Sequence, residues 1–195
     1  VGHADTFTWD PLNDSGATAA GGTWNTSATN WLGAPGRIWP NEAGANADIA
    51  VFGGAGLAPF VVNLGAPITA NGLTFNLAGY TIADGGVATN VLALDGATPT
   101  ITANADATIS AGIAGTAGFT KTGNGTLVLS GANGFTGTMT VSTGIVRLTS
   151  TLADTADVNV AAGATIELNA ASDTFDQVTG SGLITRTVTG TGTFT

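Results

Sequence analysis

The sequence has no cysteine, a single histidine and only four basic residues among 195. Lacking cysteine, it has no disulfide scaffold, thiolate metal site or cysteine nucleophile. That absence is compatible with export, since many exported bacterial surface proteins also lack cysteine. With His3 as the sole histidine, neither a Ser-His-Asp triad nor a two-histidine zinc site can form within one chain. Arg37, Lys121, Arg147 and Arg186 lie far apart, so no basic patch for nucleic acid or anionic lipid is visible. Long apolar runs are missing too. The longest, Ile49 to Val62, is broken by Gly53, Gly54, Gly56 and Pro59, and it falls short of the ~20 residues that span a bilayer. No long segment repeats its apolar residues at the helical period.

What the chain does have is glycine, 30 residues of it, with 43% hydrophobic residues, 9% charged and a net charge of −9. That hydrophobic share separates it from disordered chains of low charge. Short alternating runs such as "FVVNL" (60–64), "GTLVLSG" (125–131), "GIVRLT" (144–149) and "ATIELN" (164–169) recur, flanked by Gly, Asn, Asp or Pro. This is an all-β pattern.

Charged residues give the strands their phase, because neighbours in a strand alternate faces. Placing Arg147, Glu167 and Asp95 outward turns Val146, Leu148, Ile166, Leu168, Leu92 and Leu94 inward. The column Phe75, Leu92, Ile109, Leu127, Val146, Ile166, Leu183 then recurs every 17 to 20 residues. Such a step predicts a β-solenoid of about seven coils, each ~4.8 Å from the next. A hairpin sandwich is the alternative. It usually carries turn signals every ~8–12 residues without a longer step.

Residues 1–55 read differently. They hold all four tryptophans, Trp9, Trp24, Trp31 and Trp39, and are expected to form an irregular cap over the first edge of a solenoid spanning 56–195. The alternative is that Trp24, Trp31 and Trp39 form an exposed aromatic surface for sugars.

Residues 118–148, "GFTKTGNGTLVLSGANGFTGTMTVSTGIVRL", resemble the autotransporter-associated β-strand repeat, also called the passenger-associated transport repeat. The resemblance rests on Gly118, Thr120, Lys121, Gly123, Gly125, Thr126, Leu127, Leu129, Ser130, Gly131, Asn133, Phe135, Gly137, Val141, Gly144 and Val146. Phe119 stands where the family usually has Leu. The resemblance implies a right-handed parallel β-helix in a bacterial extracellular protein, with no catalytic residue. The family's C-terminal membrane barrel is not in this sequence, and the chain begins at Val1, so a fragment or short secreted relative with its leader removed is expected.

The glycines around Lys121 also invite a phosphate-loop reading. It fails, because Thr120 rather than Gly precedes the lysine and no strand-to-helix context follows. Turn punctuation is expected instead, with Asn124-Gly125 and Asn133-Gly134 in tight turns. Carboxylate pairs for polysaccharide cleavage would have to come from Asp84, Asp95, or Asp173 with Asp176. Such residues at corners are more readily turn formers, and no Arg, Lys or His in the sequence stands near to assist. The GG-x-G-x-D calcium repeat is absent. No catalytic residue, metal or cofactor is therefore expected.

Three functions compete: a structural rod, an adhesin or glycan-binding module, and a polysaccharide-degrading enzyme. The rod is favoured, because the C-terminal "LITRTVTGTGTFT" has no Pro, helix or charge cluster to blunt an edge strand. Thr187, Val188, Thr189, Thr191, Thr193 and Phe194 are the expected interface for head-to-tail self-association. Glycans or matrix are the alternative partners. Nucleic acid and membrane insertion by this chain are not expected.

Overall fold

The computed structural model describes residues 4–12, 19–34, 36, 38–153, 155–169 and 175–186. Among them, twenty short strands wind into a β-solenoid with two long faces and one short face. The first face runs in space β19 (Val178–Gly180), β17 (Val158–Val160), β15 (Met139–Val141), β13 (Phe119–Thr122), β10 (Thr100–Ala103), β7 (Gly72–Phe75), β4 (Ile49–Phe52), β1 (Thr6–Trp9), β3 (Trp31–Leu32). The second runs β2 (Gly22–Trp24), β5 (Phe60–Leu64), β8 (Tyr80–Ala83), β11 (Ala107–Ile109), β14 (Thr126–Leu129), β16 (Ile145–Leu148), β18 (Thr165–Leu168), β20 (Leu183–Arg186). The third holds β6 (Ile68–Ala70), β9 (Leu92–Leu94) and β12 (Ile113–Ala114). Beyond β12 an isolated parallel bridge, Asn133 to Leu152, joins the next two coils. The strands pair in parallel with the sole exception of β1 with β3.

The solenoid makes about seven turns, as the sequence implies. A coil visits the first face, turns, visits the second and returns, so its hydrophobic residues alternate inward along each short strand. The strand β14 shows this in its burial: Leu127 and Leu129 are fully buried, while Thr126 and Val128 are half-buried. One continuous apolar core runs from Phe7 to Phe175. Each fully buried Leu, Ile or Val in it contributes about 1.5–3 kcal/mol.

The inward column differs in part from the one expected. Leu127, Val146 and Ile166 do stack. Phe75, Leu92 and Ile109, however, lie on β7, β9 and β11, one on each face. Leu183 pairs with Thr165 and is 57% exposed, and Ile184 stacks on Ile166 instead. The physical reason is the length of the connections. From Thr100 onward successive pairings on the first face step by 19 or 20 residues. Gly72 to Thr100 takes 28, Ile49 to Gly72 takes 23, and Thr6 to Ile49 takes 43. The constant step assumed from sequence holds only in the second half.

Three devices meet the first edges of the faces. On the first face β3 reverses direction and pairs antiparallel with β1, Trp9 against Trp31. On the second, the Asn30 side-chain amide donates to the Thr23 carbonyl of β2 at 2.9 Å. On the third, Trp39 Nε1 donates to Thr69 O at 3.1 Å, and Asn41 Oδ1 accepts from Thr69 N at 2.6 Å. Side chains there take the place of a neighbouring strand on β6.

Candidate functional site

The strand β13 reads Phe119-Thr120-Lys121-Thr122, and its burial alternates with Phe119 and Lys121 inward. Lys121 is 0% exposed. An isolated buried ammonium is costly, so it must be paired or fully hydrogen-bonded. Here the Nζ donates to three carbonyl oxygens: Gly123 O at 2.6 Å, Gly125 O at 2.7 Å and Thr143 O at 2.9 Å. Three donors meet three acceptors.

Glycine makes the cage possible. Gly123 has φ +77° and Gly144 φ +69°, the left-handed region that suits glycine. A Cβ on Gly144 would lie within 2.5 Å of both Lys121 Nζ and Gly123 O. Gly125 has no positive φ, but a Cβ there would run into the backbone of Ala105. The glycine-rich loop therefore holds a cation with its carbonyls rather than an anion with its N–H groups. Burial pushes the Lys121 ammonium down to about 8, with the Asp106 carboxylate pulling the other way.

The expected turn at Asn124-Gly125 is present in altered form, with Gly123 supplying the positive φ. At Asn133-Gly134, Gly134 has no positive φ and open space around it. The working residue there is Asn133, buried, whose amide donates to Gly131 O at 2.9 Å and to Ser150 Oγ at 3.2 Å. Ser150 Oγ in turn donates to Gly131 O.

The four tryptophans occupy the centre of the first coils. Trp24 and Trp31 are 0% exposed and Trp39 1%. Ring centroids lie 4.9 Å apart for Trp24 and Trp31, 4.9 Å for Trp24 and Trp39, and 4.8 Å for Trp31 and Trp39. No face of these three rings is open, which removes the alternative of an exposed aromatic sugar surface. These side chains bury large apolar areas and pack edge to face or tilted. The indole N–H groups of Trp24 and Trp31 are buried without an acceptor among the described residues, whereas Trp9 Nε1 donates to Ala20 O at 2.9 Å.

The acidic candidates are turn formers. Asp84 accepts from Gly86 N, and Asp95 accepts from Gly44 N and Gly96 N. Asp173 lies outside the described residues, as do Thr187, Val188, Thr189, Thr191, Thr193 and Phe194. Among the described residues no three His, Asp or Glu side chains gather as a metal site would need, and no helix is long and apolar enough to cross a membrane.

The outer surface of the second face carries a groove of about 250 Å³, floored by β8, β11 and β14. Asp106 lies along it, and Arg147 of β16 closes it at the other end. The Thr126 N–H donates to Asp106 Oδ1 at 2.7 Å, and Arg147 Nε pairs with Glu167 Oε2 at 2.6 Å. Sequence phasing had placed Arg147 and Glu167 outward, and it was right. It missed Lys121 altogether, because a lone charge reads as a surface residue. The signal was present in Phe119, two residues before it, which fixes Lys121 on the inner side.

This parallel stack, with a caged lysine beneath a Gly-Asn-Gly turn, is a β-solenoid. Residues 119–148 match the family described as Passenger-associated-transport-repeat, and the chain carries that repeat. Among curated proteins it is similar to the adhesin BmaC autotransporter of Brucella suis biovar 1 (strain 1330), 41% identical over 152 residues. That match takes in 72% of this chain and 4% of the Brucella protein, so the chain corresponds to a small part of its relative's length. No solved structure matches.

Proposed function

We propose that the chain is a non-catalytic, cell-surface segment of a bacterial adhesin, a rod that carries and displays a contact surface. The observation that carries this reading is the caged Lys121 near the start of the passenger-associated repeat. A fully buried charge is spent on holding two coils together, as a scaffold requires. Of the acidic candidates, Asp84 and Asp95 are held by backbone N–H groups of their own turns. The relative that shares 41% identity is itself an adhesin and an autotransporter. Beads coated with the purified chain are expected to bind extracellular-matrix-coated wells above albumin-coated beads. Equal binding by both overturns the adhesin reading.

Between a head-to-tail fibre and a stalk within one passenger, the stalk is favoured. A fibre built by adding a neighbour's C-terminal strand needs an open first edge, and all three faces carry cap hydrogen bonds there. Negative-stain electron microscopy at low and high concentration is expected to show discrete short particles. Regular fibres would restore the head-to-tail reading.

A further inference from the structure

We infer that the groove on the outer second face is a binding site for an uncharged saccharide, with Asp106 and Arg147 as its two polar anchors. This rests on the adhesin reading and names the ligand class.

Each anchor is held by one half and open with the other. Asp106 uses Oδ1 on the Thr126 N–H, which leaves Oδ2 without a hydrogen bond among the described residues. Arg147 uses Nε on Glu167, which leaves its two terminal Nη groups without one. Along the floor the hydroxyls of Thr81, Thr108 and Thr126 likewise make no hydrogen bond among the described residues. The groove thus gathers an acceptor-only carboxylate, donor-only guanidinium nitrogens and three hydroxyls that do both. Arg147 and the three threonines stand on strands, and Asp106, one residue before β11, is held by its bond to the Thr126 N–H.

Register sets the spacing. Thr108, Val128 and Arg147 form one outward column, and Asp106 sits one rung-pair behind on the β11 coil. Asp106 and Arg147 are two rungs apart, ~10 Å along the axis. Val128, half-buried, lies between them as an aliphatic surface of the groove. That order suits a sugar: vicinal hydroxyls donating to the carboxylate, ring C–H groups on the valine, and a hydroxyl or ring oxygen accepting from the guanidinium.

Charge selects among saccharides. The chain carries −9, and Glu167 already neutralises Arg147. A sulfated or polyuronate chain would meet a repulsive field and find no free cation. A neutral glycan meets neither obstacle.

The test is amide chemical-shift mapping on the 15N-labelled full chain. The probes are four neutral tetrasaccharides (lacto-N-neotetraose, maltotetraose, cellotetraose and mannotetraose) and a heparin tetrasaccharide. At least one neutral probe is expected to shift the Thr108, Thr126 and Val128 amides. Asp106→Asn and Arg147→Gln should each weaken that binding about tenfold, the loss of one charge-assisted hydrogen bond. Thr108→Val keeps side-chain shape in case either charge variant is destabilised, and should weaken it by less. No shift in the groove with any neutral probe, shifts only with heparin, or unchanged affinity in folded variants overturns the proposal. If beads coated with Asp106→Asn or Arg147→Gln still bind matrix as the parent does, the groove fails while the adhesin reading stands. If the parent beads do not bind, the adhesin reading fails on its own.

Discussion

The first coils and the later ones solve the same packing problem with different materials. Up to β8 the interior is aromatic, with Trp9, Trp24, Trp31, Trp39, Phe52, Phe75 and Tyr80 in one network of ring contacts. From β10 onward it is mostly aliphatic: Ile101, Leu127, Leu129, Val141, Val146, Ile166. The aromatic half tolerates pairing steps of 43, 23 and 28 residues, while the aliphatic half keeps 19 or 20. Large rings fill space whatever the local path of the backbone. Small side chains fill it only when each coil repeats the last. The aliphatic half therefore has no slack for a charge, and it admits one, at Lys121, only inside a complete cage.

The comparison breaks most visibly at its aromatic end. Trp31→Ala should cost about 3–5 kcal/mol, since it empties the centre of the cluster and weakens the β1–β3 pair. Chemical denaturation would read this as a large fall in midpoint. The indole nitrogens sharpen the point. Trp24→Phe removes a donor with no acceptor, so it should cost less than Trp39→Phe, which frees the β6 edge at Thr69. Equal losses would mean that the edge bond does not matter.

At the aliphatic end Lys121→Ala should cost about 2–4 kcal/mol, because three part-buried hydrogen bonds are lost at once and the core loses the side chain that fills it. Lys121→Met fills the space but not the bonds and should fall between parent and Ala. A variant as stable as the parent would show the cage to be dispensable. Gly144→Ala should cost about 1–3 kcal/mol, from positive φ and the crowding of Lys121 Nζ.

The two halves oppose each other in their response to pH. Lys121 has a folded value of about 8, below its ordinary 10.5. Between these values the unfolded chain binds more protons, so stability rises with pH. Tyr80 of the aromatic cluster is pushed by burial up to about 12 from 10.0, with a hydrogen bond from Ala20 acting against it. Above pH 10 the folded chain holds the extra proton, and stability falls as pH rises toward 12. Thermal melts from pH 7 to 11 should therefore climb above pH 8 and turn over near 10. Lys121→Met should remove the climb and leave the fall.

The solenoid was legible where the sequence repeats. Arg147 and Glu167 fix the phase of their strands correctly, and Leu127, Val146 and Ile166 follow. Earlier in the chain the same logic misplaced Phe75, Leu92 and Ile109, because the connections vary in length and periodicity cannot see around a loop. Trp24, Trp31 and Trp39 were recognisable as a group, but composition does not tell a ring in the core from a ring on the surface. Lys121 was hidden by the rule that served Arg147. Charge points outward unless the backbone supplies acceptors, and only glycine leaves room for three carbonyls to converge.

That convergence has a consequence for how the rod comes apart. Two of the three oxygens belong to the coil of Lys121, and the third, from Thr143, belongs to the next. In a stack whose stability is a sum of neighbour terms, fraying can stop at any joint of ordinary strength. Here one joint is unequal to the rest. Peeling the chain back from β20 is gradual until Thr143 lifts away. At that joint a buried cation loses a partner and must be hydrated, so unravelling halts or the whole remaining stack lets go. Pulled from that end, the rod would extend coil by coil and then catch.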